Sequence, residues 1–372
     1  MMNPLSQVPL ERLRRRTSVK WRRYPEDVLP LWVAELDVDL AEPVARAITE
    51  AVRDGDTGYP AGTAYAGALA GFARSRWNHE IDVEHTAIVP DVMLGVVEMI
   101  KLVGGDLVVV SPPVYPPFYL FVRSMGLPIV EAPLTDDRLD LEVLERTFQL
   151  IHAEQPVFLL CSPHNPTGTV HTADELAGLA DLARTYGVRV IADEIHAPIV
   201  SKSTTFVPYL SVDEHGLSLM SASKGWNLSG LKSAVAIAGP AAAGDLARLP
   251  EEVSHGPSHV GSIAHTAALS EGGEWLDAVI DGLDDNRKLL AGLLEEHLPE
   301  IGYRPSPATF LAWLDCRNLG FDDPAAVFLE RGRVAFTSGN DFGTGGAGFV
   351  RFNIGTNPEI IAEAVRRMAA SR

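Results

Sequence analysis

Four side chains of different chemistry each follow a short apolar run. Leu107-Val-Val-Val110 leads into Ser111-Pro-Pro-Val-Tyr115, and Val157 to Cys161 leads into Ser162-Pro-His-Asn165-Pro-Thr-Gly168. Val188 to Ala192 is followed by Asp193-Glu-Ile-His196, and Leu217 to Ser221 by Ala222-Ser223-Lys224. A lysine shut into a pocket gives up its charge readily, and the neutral amine can form an imine with an aldehyde. The hydroxyls of Ser221 and Ser223 suit phosphate oxygens, and Lys232 follows after a short glycine-containing loop. Tyr115 offers a ring for stacking, Asn165 a donor for a phenolic oxygen, and Asp193 an anion that keeps a pyridine nitrogen protonated. Together with Lys224 these are the groups an aromatic pyridine aldehyde needs to act as an electron sink.

These residues can meet only if the apolar runs are neighbouring strands of one parallel sheet, because ligands bind beyond the carboxyl ends of such strands. The pattern between the runs agrees. Helices are expected over Pro43–Arg53, Ala64–Trp77, Met93–Val103, Phe118–Met125 and Leu141–Ala153, with short strands at Ala87–Val89, Pro128–Glu131 and Val235–Ala238. Thr172-Ala-Asp-Glu175 is a capping box that opens a helix whose apolar face carries Leu176, Leu179, Ala180 and Ala183. Repeated βα units with continuously apolar strands predict an α/β fold, a mostly parallel sheet between helices. Ser270 to His297 reads as one long helical stretch. Strands at Phe310–Asp315, Val334–Phe336 and Phe349–Ile354 then suggest a smaller α+β unit. The expected division is an N-terminal segment 1–45, a large domain 46–275 and a small C-terminal domain 276–372.

Composition narrows the function classes. The 372 residues carry 31 Lys and Arg against 49 Asp and Glu, a net charge of −18, which disfavours nucleic acid and anionic membrane surfaces as partners. The basic cluster Arg12, Arg14, Arg15, Arg16, Lys20, Arg22 and Arg23 is therefore expected to be solvated or partner-facing rather than a nucleic-acid arm. No apolar run reaches membrane-spanning length and no signal peptide is evident. Only two cysteines occur, Cys161 and Cys316, so a reducing cytoplasm is the expected setting.

The order Tyr115, Asn165-Pro-Thr-Gly168, Asp193, Ser221-x-Ser-Lys224 resembles the fold-type I pyridoxal-phosphate (PLP) enzymes of the aminotransferase superfamily. A narrower set of matches resembles the cystathionine β-lyase-like C–S lyases of the MalY/PatB group: Lys20-Trp21, Leu31-Trp-Val-Ala-Glu-Leu-Asp37, Gly58-Tyr59, Ser111 to Tyr115, Ser162 to Gly168, Asp193 to His196 and Ser221 to Leu231. The resemblance implies a seven-stranded, mostly parallel sheet, PLP bound to Lys224, and a homodimer. It implies backbone amides at Val92 and Met93 on the cofactor phosphate, with Lys232, Ser221 and Ser223 beside it. Tyr59 would reach the neighbouring subunit's site, and His196 would lie near the cofactor. Arg351 would grip the substrate α-carboxylate through a two-pronged contact, with Trp32 and Ala34 lining that pocket. The implied reaction is β-elimination from cystathionine or another cysteine S-conjugate, with transamination as the alternative and a regulatory PLP-binding pseudoenzyme behind it. Asn165–Pro166 is expected to be cis, as X–Pro bonds tolerate.

Three positions depart from that group: Asp91 stands where glycine is usual, Gly225 where threonine is usual, and Glu35-Leu36 where Asp-Met is usual. Other patterns carry less. Ser221-x-x-Lys224 fits a penicillin-binding motif, but no Lys-Thr-Gly follows. Gly343-x-Gly345-x-x-Gly348 fits a dinucleotide pattern without the required strand, helix and acidic residue, and reads as a loop before Arg351. Cys161-x-x-His164 and Asp193-x-x-His196 are expected to scaffold strand ends, with no metal.

Overall fold

The computed structural model describes residues 2–372. Its centre is a seven-stranded sheet in the order Thr86–Val89, Ala234–Ala238, Leu217–Met220, Arg189–Asp193, Pro156–Cys161, Leu107–Val110, Ile129–Glu131. Ala234–Ala238 runs antiparallel to both neighbours, and every other pairing is parallel. Leu107–Val110, Pro156–Cys161, Leu217–Met220 and Ala234–Ala238 are buried throughout, as strands covered on both faces must be. The register decides where the chemistry falls. Val110 lies opposite Leu159, Cys161 opposite Asp193, and Asp193 opposite Leu219, so the segments after these strands emerge along one edge. Asp193 is itself the last strand residue, and its carbonyl accepts from the Ser162 amide at 3.0 Å.

The capping box holds: Thr172 Oγ1 accepts from the Glu175 amide at 3.2 Å, and Glu175 Oε2 accepts from the Thr172 amide at 2.7 Å. The helix over Leu141–Leu150 stops before Ala153, because Asp106 takes up the Glu154 and Gln155 amides at 2.8 and 3.1 Å. The long stretch expected over Ser270–His297 is the helix Gly273–His297, and a separate helix, His259–Glu271, precedes it. The break falls at Gly272, whose carbonyl accepts from the Trp226 indole at 3.1 Å and where a β-carbon would lie 2.4 Å from that indole nitrogen.

A second, four-stranded antiparallel sheet runs Thr337–Ser338, Phe349–Asn353, Leu311–Asp315, Gly302–Tyr303. The N-terminal segment ties the two parts together. Leu29–Pro30 pairs in parallel with Val334–Ala335, and Leu5, Val8 and Leu13 are buried. The expectation of a solvated basic cluster fails at Lys20, which is fully buried. Its ammonium donates to Asp37 at 2.8 Å and to the Glu35 carbonyl at 3.0 Å. Arg12 pairs with Asp39, and Arg16 donates to the carbonyls of Leu36 and Val38. The cluster is thus partly spent on folding the 32–39 loop over the rest of the chain.

Candidate active site

At the carboxyl edge of the central sheet lies a cavity of about 280 Å³, lined among others by Tyr115, Asn165, Asp193, His196, Ser221, Ser223 and Lys224. The four chemically distinct residues singled out from their strand-end positions therefore share one space. Lys224 points its amine at the Ala34 carbonyl (2.9 Å) and at Ser229 Oγ (3.5 Å). Asn227 follows with φ +60° and accepts the Leu36 amide at 2.9 Å, which fixes the 32–36 loop against the Lys224 turn. Gly225 has a packing reason: a β-carbon there would lie 3.2 Å from Pro198 and 3.7 Å from Leu276, so the threonine usual in the group would be crowded.

Asn165 joins two parts of the site. Its amide donates to Cys161 Sγ at 3.3 Å, its Oδ1 accepts from Arg351 Nη1 at 3.1 Å, and its side-chain nitrogen is left to donate. Asn165–Pro166 is cis, as expected, and so are Ser162–Pro163 and Pro112–Pro113. Arg351 is buried over the Phe342 ring, 5.3 Å from its centroid. Its Nη2 donates to the Trp32 carbonyl at 3.0 Å and to Thr337 Oγ1 at 3.2 Å, while its Nε has no partner among the described residues.

Burial sets the electrostatics. It pushes the Lys224 amine down to about 8, with the Arg351 cation adding to the effect. It pushes the Asp193 carboxyl up to about 6, opposed by the Ile195 amide bond (3.1 Å) and by Lys224. The Tyr115 phenol is raised to about 12 by burial and then by Asp193. His196, buried and facing Lys224 and Arg351, is held well below the usual imidazole range. A neutral imidazole, a readily neutralised amine and a buried carboxylate whose counter-charge is not adjacent are the perturbations expected of a working site.

At the other end of the cavity the helix Val92–Leu102 begins. Asp91 caps it, accepting from the Leu94 amide at 2.8 Å, and its second oxygen accepts from Lys232 Nζ at 2.8 Å. The carboxylate that stands where glycine is usual is thus paired. The Val92 and Met93 amides remain without partners among the described residues, and both residues line the cavity. Ser223 also lines this end, whereas the Ser221 hydroxyl is already committed to the Ser233 carbonyl at 2.8 Å.

One expected participant, Trp32, is placed differently. The Trp32 side chain does not line the cavity. Its indole donates to the Lys20 carbonyl at 3.4 Å and lies edge-on to Tyr24, so Trp32 meets Arg351 only through its backbone oxygen. Tyr59 is 79% exposed, stacks near His255 at 5.4 Å and reaches no part of its own chain's cavity. The structure adds residues that sequence reading passed over: Thr337 on Arg351, Phe342 beneath it, Ser229 beside Lys224, and Ile195 on Asp193. Ser229 and Ile195 lay within motifs already singled out; Thr337 and Phe342 come from short segments with no chemical signature of their own.

The donor set fits pyridoxal phosphate. An anion without an adjacent cation (Asp193), a free amide donor (Asn165), an amine of lowered basicity (Lys224) and two unpartnered helix-start amides meet the nitrogen, phenolic oxygen, aldehyde and phosphate of that group in kind. His196 Nδ1, buried and unpartnered among the described residues, lies on the same cavity, and Arg351 Nε, behind Asn165, is also without a partner among them.

The chain belongs to the aminotransferase class I and II family, which matches residues 27–368. A protein of Mycobacterium leprae, provisionally named a cystathionine beta-lyase, is 56% identical, covering 98% of this chain and 97% of its own length. The cystathionine beta-lyase PatB of Bacillus subtilis is 30% identical, covering 95% and 96%. Among solved structures, one from Corynebacterium diphtheriae, described provisionally as a PLP-dependent beta-cystathionase, superposes with a TM-score of 0.91 at 33% identity and covers 98% of each chain.

Proposed function

We propose that this chain is a PLP-dependent carbon–sulfur lyase that cleaves cystathionine or a related cysteine S-conjugate by β-elimination, giving pyruvate, ammonia and a thiol. The observation that carries the reading is the meeting of Lys224, Asp193 and Asn165 around one cavity, with Arg351 hydrogen-bonded to Asn165 behind it. Its context is a chain that is 56% identical to a protein named for this activity. When bound, pyridoxal phosphate supplies the electron sink for the pair left at Cα.

The chain's residues do the rest. Lys224 would hold the cofactor's aldehyde carbon through Nζ, the place that the substrate amine would then take. The freed amine, held near 8, then takes the Cα proton as general base. Asp193 keeps the pyridine nitrogen protonated, and Asn165 donates to the phenolic oxygen. Tyr115, which lines the cavity, would stack on the ring. Arg351 fixes the substrate carboxylate with its planar fork and so sets the rotation about Cα. With that rotation fixed, the Cβ–S bond can stand in line with the electrons released at Cα. The sulfur leaves with the bonding pair and is protonated to the thiol, and the enamine left behind adds water to yield pyruvate and ammonia. Val92, Met93, Ser223 and Lys232 receive the phosphate.

Residues 46–275 serve as the cofactor-binding domain and 276–372 as the smaller domain that brings Arg351. The working unit is a homodimer in which the exposed Tyr59 reaches the partner's site, and its setting is cytoplasmic, in keeping with two free, buried cysteines. Borohydride reduction followed by peptide mass mapping tests the assignment. A pyridoxyl group on Lys224 is expected, and a label on another lysine would overturn it.

A further inference from the structure

The phosphate end of the cavity contains a carboxylate, Asp91, that the proposed reaction does not use. Lys232 is 58% exposed along its side chain, and its ammonium has one partner within the chain, the Asp91 carboxylate at 2.8 Å. Asp91 is less free to move. Its Oδ1 is held by the Leu94 amide at 2.8 Å, its carbonyl accepts the Gly95 amide at 2.8 Å, and its side chain is 24% exposed. The carboxylate is thus fixed at the first turn of Val92–Leu102, beside the two unpartnered amides, and among the described residues it already holds the one lysine ammonium at that end. Any phosphate brought to those amides meets a like charge at the helix start and a cation that must be shared.

We infer that Asp91 competes with the cofactor's phosphate for Lys232 and so sets how tightly this chain holds its cofactor. The inference rests on the proposed cofactor reading, since it concerns the phosphate of that group. Two consequences follow from charge alone. Neutralising Asp91 removes repulsion and releases Lys232 to the phosphate. The contribution of Lys232 therefore depends on Asp91, being small while the pair is intact and larger once it is broken, the coupling expected of groups that share a partner.

The test uses the full chain freed of cofactor and titrated with pyridoxal phosphate, read by absorbance and by quenching of tryptophan fluorescence. Asp91→Asn is the informative variant, because asparagine caps a helix about as well as aspartate and only the charge is lost. It is expected to tighten binding about fivefold or more, the ratio that ~1 kcal/mol sets, which is the size of a unit-charge interaction at close range in water-like surroundings. Lys232→Gln is expected to loosen binding by a larger factor in the Asp91→Asn background than in the wild-type chain. Pyridoxal, which lacks the phosphate, should bind both Asp91 forms equally. Unchanged or weaker binding of pyridoxal phosphate by Asp91→Asn overturns the inference while leaving the lyase reading intact, and so does equal tightening for pyridoxal. Failure of the wild-type chain to bind pyridoxal phosphate at all would overturn both.

Discussion

Replacing Arg351 by lysine keeps the charge and removes the geometry. The guanidinium is buried, spans Asn165 at 3.1 Å, the Trp32 carbonyl at 3.0 Å and Thr337 at 3.2 Å, and lies over the Phe342 ring. A lysine ammonium has no plane to stack and cannot reach both sides of that span while also offering a two-pronged contact to a carboxylate. One charge-assisted hydrogen bond contributes ~1.5–3 kcal/mol, and acceptors left unsatisfied in a buried site add to the cost. A loss of ~3 kcal/mol in transition-state stabilisation corresponds to roughly a hundredfold fall in kcat/KM. Steady-state release of pyruvate from an S-substituted cysteine, at saturating cofactor, measures it, and the larger part should appear in KM. Arg351→Gln separates the two roles of the residue, because the Arg351 charge also helps hold the Lys224 amine down. The glutamine variant should raise the pH at which Lys224 captures pyridoxal phosphate, and the lysine variant should leave it nearly unchanged. A kcat/KM for Arg351→Lys within about threefold of wild type would refute the carboxylate assignment.

Three further outcomes follow from the same geometry. Capture of pyridoxal phosphate by the cofactor-free chain needs a neutral Lys224, whose amine is lowered to about 8, so the capture rate should rise with pH and level off above that value; a rate still climbing steeply at pH 10 would mean an ordinary lysine. Lys20→Met leaves Asp37 buried without its cation and should destabilise the fold by ~3–5 kcal/mol, read as a lowered urea midpoint; a shift below 1 kcal/mol would mean that Asp37 finds water. Mixing Tyr59→Phe subunits with Lys224→Ala subunits should restore activity, because one site of each mixed dimer would then hold Lys224 together with the partner's unaltered tyrosine; a mixture no more active than its parts would place Tyr59 outside the shared site.

Much of this arrangement was legible before the structure, for a physical reason. Strands buried on both faces must be continuously apolar, so Leu107–Val110 and Pro156–Cys161 announce themselves, and whatever follows them must stand at the ligand-binding edge. Lys224, Asp193, Asn165 and Tyr115 were found by that rule. Residues that act through partners distant in sequence were not. Thr337 reaches Arg351 from a two-residue strand, and Phe342 lies under it from the short 3-10 turn Gly339–Phe342, neither having a local pattern. Lys20 looked like one more basic residue on a polar segment, because its partner Asp37 lies seventeen residues on and nothing local marks the pair as buried. The Gly272 break was hidden by the helix-forming residues on either side, and its cause is the indole of Trp226, forty-six residues earlier. The pairing of Asp91 with Lys232 spans 141 residues, so the sequence offered only a carboxylate in an unfavourable place.

The chemistry itself is decided by which bond breaks after the Cα proton leaves, and product analysis reads that directly. The wild-type chain, loaded with pyridoxal phosphate and given cystathionine without any keto acid, should release pyruvate, ammonia and homocysteine in equal amounts and in many turnovers. Thiol release that is negligible, with amino transfer to an added keto acid as the main reaction, would contradict the lyase account and make the chain an aminotransferase.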